Sequence, residues 1–110
     1  MKPKKLSIPT VFKYHFKKSD TSTPPTTVYL AGSMTNWKSY EMGALKDESY
    51  FIAVIECLPG KYYYKFCVDG IWCHDASQPF ISSNQNDVKA NLMMVKLEDR
   101  EVFDGKVHSF

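Results

Sequence analysis

The chain has 110 residues, 44% of them hydrophobic and 24% charged, and a net charge of +2 at pH 7. That is one domain's worth of sequence with enough apolar content for a core, so neither disorder nor a disulfide-dependent miniature scaffold is expected. No apolar run approaches the about 18–20 residues that cross a bilayer, none near the start reads as a signal peptide, and so small a charge singles out neither nucleic acid nor an anionic membrane as partner. Lys2, Lys4 and Lys5, and the pair Lys17 and Lys18, read as a solvated tail and a polar strand end.

In chain order, short β-branched and aromatic runs recur between Pro, Gly, Ser, Asn and Asp, with no sustained helical period. Residues 1–8 read as an N-terminal tail. Strands are predicted at 10–16 (TVFKYHF), 27–31 (TVYLA), 50–58 (YFIAVIECL), 62–68 (YYYKFCV), 71–74 (IWCH) and 91–97 (NLMMVKL). Period-two alternation places Phe12, Tyr14 and Phe16 on one face, and likewise Phe51, Ala53, Ile55 and Cys57. Segment 19–26 (SDTSTPPT) reads as a surface loop, while 33–46 and 77–90 read as long irregular segments, where binding residues concentrate. The expected fold is all-β, an immunoglobulin-like antiparallel β-sandwich of six to eight short strands. The domain is expected to run over 9–104, followed by a tail at 105–110.

Three cysteines, Cys57, Cys67 and Cys73, are an odd number without C-x-x-C spacing. Each lies in a β-like run and reads as a small buried hydrophobe in a reducing compartment. His15, His74 and His108 are isolated in sequence, so no metal site and no cofactor are expected. His74-Asp75 is a suggestive pair, yet neighbours on a strand point to opposite faces, and Asp75 suits the start of a turn. No nucleophile elbow, phosphatase loop or phosphate cradle is present, and no facing carboxylate pair is singled out, so an enzyme is not expected.

The sharpest local signal is 62–74, YYYKFCVDGIWCH. Asp69-Gly70 is the favoured dipeptide of a two-residue hairpin turn with positive φ at both positions. The register then follows: Val68 opposes Ile71, Cys67 opposes Trp72, Phe66 opposes Cys73 and Lys65 opposes His74. One face carries Tyr62, Tyr64, Phe66, Val68, Ile71 and Cys73 as a core face. The other carries Tyr63, Lys65, Cys67, Trp72 and His74, with Lys65 diagonal to Trp72. Trp72 on this second face has two readings: it is covered by a loop, or it is an open stacking platform. Aromatic faces suit the C–H surface of a pyranose, and a lysine can donate to its hydroxyls. Trp37 follows a small, polar run, Gly32-Ser33-Met34-Thr35-Asn36, where an indole has no evident core to fill. Trp37, Trp72 and Lys65 together would make a shallow sugar clamp.

The strings VYLAGSMTNW (28–37), YKFCVDGIW (64–72), HDASQP (74–79) and EVFD (101–104) resemble the glycogen-binding carbohydrate module of AMP-activated protein kinase beta subunits. The resemblance covers almost the whole chain. It implies a β-sandwich that binds α-1,4-linked glucan, glycogen or maltooligosaccharide, without cleaving it, and docks with the kinase catalytic and regulatory subunits of a heterotrimer. Protein docking on the catalytic subunit, with weak or no sugar binding, is the competing expectation. The resemblance assigns sugar contact to Trp37, Trp72 and Lys65, and to an asparagine before the final strand. That asparagine is matched by Asn91, or its place is taken by Lys89, depending on where an extra residue is placed. The family's apolar loop finger and nearby threonine are replaced here by Gln85 and Asp87, which should weaken binding by about 1–2 kcal/mol. By the same resemblance the chain is expected to be an excised domain or short isoform of a larger regulatory protein, cytoplasmic and with the nucleus as a second compartment.

Overall fold

The computed structural model describes residues 7–17, 23–82 and 89–97. These described residues form nine strands: β1 (Ile8–His15), β2 (Val28–Gly32), β3 (Tyr40–Glu41), β4 (Gly43–Ala44), β5 (Tyr50–Cys57), β6 (Gly60–Val68), β7 (Ile71–Cys73), β8 (Phe80–Ser82) and β9 (Lys89–Val95). One turn of 3₁₀ helix, Ser33–Thr35, follows β2. All pairings are antiparallel. A three-stranded sheet has the order β1-β5-β4, and a six-stranded sheet has the order β3-β2-β6-β9-β8 with β7 also on β6. Strand β6 is the hub. It pairs with β2 along one edge and with β9 and then β7 along the other.

The alternating runs explain why these sheets face each other. Phe12, Phe51, Ala53 and Cys57 from the small sheet meet Val28, Leu30, Tyr64, Phe66 and Val95 from the large one in a single buried cluster. Aromatic contacts stitch the layers: Phe12 meets Tyr64 edge-on at 4.9 Å, and Tyr14 meets Phe66 at 5.1 Å. Burying each such side chain stabilises the fold by about 1.5–3 kcal/mol. Ile8, expected in the tail, is instead the first residue of β1 and is buried opposite Cys57.

The tight turn forms as the dipeptide requires, with φ of 49° at Asp69 and 89° at Gly70. Asp69 adds a role of its own. Its carboxylate accepts from the Thr26 and Thr27 N–H groups at 2.9 and 2.8 Å, tying the hairpin tip to the entrance of β2. Three predicted pairs are present: Val68 with Ile71, Cys67 with Trp72, and Phe66 with Cys73. The fourth is not, because β7 ends at Cys73 and His74 turns away to lie 4.5 Å from the Phe80 ring.

Two expectations about faces need correction. Ile71 has the parity of the core face but is 70% exposed, so at the hairpin tip that face is left uncovered. Cys67, on the outer face beside Trp72, and Cys73, with the parity of the core face, are only partly buried, whereas Cys57 is buried in the core. The irregular segments also hold more structure than expected: β3 and β4 within 33–46, and β8 within 77–90.

Candidate functional site

The outer face of the six-stranded sheet is defined by register, since directly opposed residues share a face. Tyr29 of β2, Cys67 of β6 and Trp72 of β7 form one row across it, and Ala31 with Lys65 forms the next. Lys65 is therefore diagonal to Trp72, at a spacing long side chains cover. Trp72 is 50% exposed, so its indole is open rather than roofed by a loop.

Trp37 reaches the surface by a different device. Asn36 and Trp37 both adopt left-handed backbone, with φ of 59° and 61°. The Trp37 N–H donates to the Gly32 carbonyl at 2.8 Å, closing the loop on the end of β2. Thr35 Oγ1 holds it from inside, accepting from the Gly32 N–H at 3.2 Å and lying 2.8 Å from the Lys38 carbonyl. Ser33 Oγ accepts from the Tyr63 N–H at 3.2 Å, so the loop is anchored on β6 as well. The fold thus holds the Trp37 side chain 52% exposed on a tightly bonded turn.

Asn91 does not belong to this face. It stands opposite Tyr64, on the core side of β9, and is 0% exposed. Its side chain is occupied: Oδ1 accepts from the Asp75 N–H at 2.7 Å, and Nδ2 donates to the Asp75 and Pro79 carbonyls at 2.9 and 3.0 Å. A residue so placed cannot touch a sugar on the outer surface. Lys89, the other choice, is exposed at the start of β9 with the parity of Asn91. The outward positions of β9 are Ala90, Leu92 and Met94, which offer no donor. Gln85, like Asp87, lies outside the described residues.

Sequence reasoning missed what Asn91 does. Asp75, 4% exposed, sits at the centre of a polar clasp between the sheets. Its Oδ2 accepts from the His15 N–H at 2.7 Å and lies 2.9 Å from His15 Nδ1. Its Oδ1 accepts from the Ser77 N–H and hydroxyl at 2.9 and 2.6 Å. Gln78 Nε2 bridges from Oδ2 to the Lys13 carbonyl of β1. Burial alone would raise the Asp75 pKa, but the bonds from Ser77 and His15 outweigh it and hold the carboxyl below its ordinary value of 3.8. The spacing Asp75-x-Ser77 was the available signal, and it marks the expected turn start; nothing local marks His15 or Asn91 as partners.

Aspartate, histidine and serine meet here, but not in the order that activates a nucleophile. A triad needs the imidazole between the other two, one nitrogen toward each. Here the serine hydroxyl donates to the carboxylate itself, and the nitrogen nearest Ser77 Oγ (3.4 Å) is the same Nδ1 that faces Asp75. The clasp is structural. Burial likewise pushes the Cys57 and Cys73 thiols up, away from the reactive thiolate. Among the described residues no group of His, Cys, Asp and Glu side chains could hold a metal ion, and no helix is long and apolar enough to cross a membrane.

Comparison with known proteins gives this surface a setting. The chain is 36% identical over 105 residues to the beta-2 subunit of 5'-AMP-activated protein kinase from Mus musculus, covering 96% of this chain and 35% of the relative. It is 40% identical over 78 residues to the beta-1 subunit from Homo sapiens, covering 71% of this chain and 28% of that one. The chain therefore spans about a third or less of the length of these relatives. The family model described as the glycogen recognition site of AMP-activated protein kinase matches residues 8–101, from the first residue of β1 to beyond the last strand. On that match, with the two-sheet fold that accompanies it, the chain belongs to the glycogen recognition family of AMP-activated protein kinase.

Proposed function

We propose that this chain binds α-1,4-linked glucan of the glycogen type on the outer face of its six-stranded sheet, without cleaving it. The observation that carries the reading is the pair of half-exposed indoles, Trp37 and Trp72, in a chain of the glycogen recognition family. Trp72 supplies a flat apolar face for the C–H side of a sugar ring, and Lys65, diagonal to it, supplies an ammonium donor for hydroxyls. Trp37 supplies the second face from the loop after β2. Stacking of this kind orders few side chains, because one indole stands on a strand and the other on a turn fixed by Thr35 and Ser33. As part of a beta-type regulatory subunit, the domain would bring a cytoplasmic kinase heterotrimer to stored polysaccharide.

Migration in gels containing glycogen tests the reading. The wild-type chain is expected to be retarded, and Trp37→Ala or Trp72→Ala to lose at least tenfold in affinity, roughly 1.4 kcal/mol or more, with the fold intact. Wild-type migration unchanged by glycogen would contradict it.

A second reading, docking on a kinase catalytic subunit, is favoured by one observation. The outer face of the three-stranded sheet carries Val11 opposite Val54, and Val54 is exposed. Such docking would survive in the double variant Trp37→Ala/Trp72→Ala, which separates the two roles.

A further inference from the structure

Tyr63 stands on the same outer face, two residues from Lys65 along β6 and directly opposite Leu92 of β9. It is partly exposed. Its N–H donates to Ser33 Oγ, and its carbonyl oxygen lies 2.5 Å from where a Cβ on Gly32 would stand. The residue is thereby fixed against the loop that presents Trp37. Its neighbours on the outward side of β9, Ala90 and Leu92, bear no hydrogen-bonding group. With Asn91 turned into the core, the Tyr63 ring and hydroxyl are, among the described residues, the sugar-compatible chemistry between Lys65 and Lys61 on that face.

Resting on the glucan site described above, we propose that Tyr63 is a further sugar-contact residue, an outlying stacking subsite reached only by longer glucans. Trp72 is level with Cys67, and Tyr63 lies four residues back along β6, about 13 Å away at roughly 3.3 Å per residue. A disaccharide held at Trp72 does not span that distance, whereas an oligosaccharide of several units does. The phenol ring then offers a third flat face, beyond Lys65, and its hydroxyl can donate to or accept from a sugar hydroxyl. Binding strength should consequently grow with chain length, and Tyr63 should carry part of the increment.

The test is calorimetric titration of maltotriose and maltoheptaose into the wild-type chain, Tyr63→Ala and Tyr63→Phe. Tyr63→Ala is expected to weaken maltoheptaose about three- to tenfold while leaving maltotriose unchanged, and Tyr63→Phe to retain most of the wild-type affinity. Unchanged maltotriose binding also reports that the variant is folded. Equal affinities of wild type and Tyr63→Ala for both sugars, or equal losses on both, would overturn the subsite while leaving the glucan site standing. Wild-type chain that binds neither sugar would overturn both.

Discussion

Asp75 shows how one residue can hold two layers together. The His15 N–H reaches it from β1, the Ser77 N–H and hydroxyl from its own turn, and Gln78 ties it back to the Lys13 carbonyl. Asn91 grips its main chain from β9. Because the native carboxyl has a lowered pKa, its ionised form is the one the fold prefers. That contribution is fully present above the ordinary carboxylate pKa, near 4, and is lost as the pH falls from there through the lower native value. Asp75→Asn places an amide NH₂ among donors, and should lower stability by about 1.5–3 kcal/mol at pH 7, the range for hydrogen bonds to a charged group. The loss should shrink as both proteins are titrated below pH 4. Chemical denaturation of the two chains across pH 3–7 checks this, and an equal difference at every pH would contradict it.

At the scale of an element, the loop from Gly32 to Lys38 depends on a close approach that only glycine permits. A Cβ on Gly32 would stand 2.5 Å from the Tyr63 carbonyl oxygen, 2.6 Å from Met34 Sδ and 2.7 Å from Tyr64 Cβ. Two of those atoms belong to the hub strand and cannot give way cheaply. Gly32→Ala should therefore cost about 1–3 kcal/mol, lowering Tm by roughly 4–8 °C for each kcal/mol, and weaken glucan binding by displacing Trp37. Thermal unfolding together with the glycogen gel measures both effects; an unchanged Tm would contradict the packing argument.

The β6–β7 hairpin was legible because a two-residue turn fixes register, and register fixes faces; Lys65, Cys67 and Trp72 followed from Asp69-Gly70 alone. The alternation in β1 and β5 gave their core faces for the same reason. Strands β3, β4 and β8 were not legible, since two or three residues are too few to show a period and their pairing is set by tertiary contact. Asn91 was misassigned because its partners, Asp75 and Pro79, come from a turn that sequence spacing does not bring to it. Ile71 shows a related limit: parity states which way a side chain points, not whether anything stands there to cover it.

Across the whole molecule, the core-facing sides of the two sheets are taken by aromatic packing and the Asp75 clasp, which leaves the outer faces for recognition. The larger sheet carries Trp72, Lys65 and Tyr63 on its outer face, and the loop that presents Trp37 is bonded to the same sheet at Tyr63. Rigid presentation follows from strand pairing and from the bonds of Thr35 and Ser33, so little reorganisation is needed on binding. The most direct measurement is a nuclear magnetic resonance titration with maltoheptaose, since the chain has only two tryptophans and hence two indole N–H signals. Both signals are expected to shift in a saturable way, along with the amides of Lys65 and Cys67, while those of Val11 and Val54 stay in place. Indole signals that do not move at saturating sugar, or shifts centred on Val11 and Val54, would contradict a glucan site on this face.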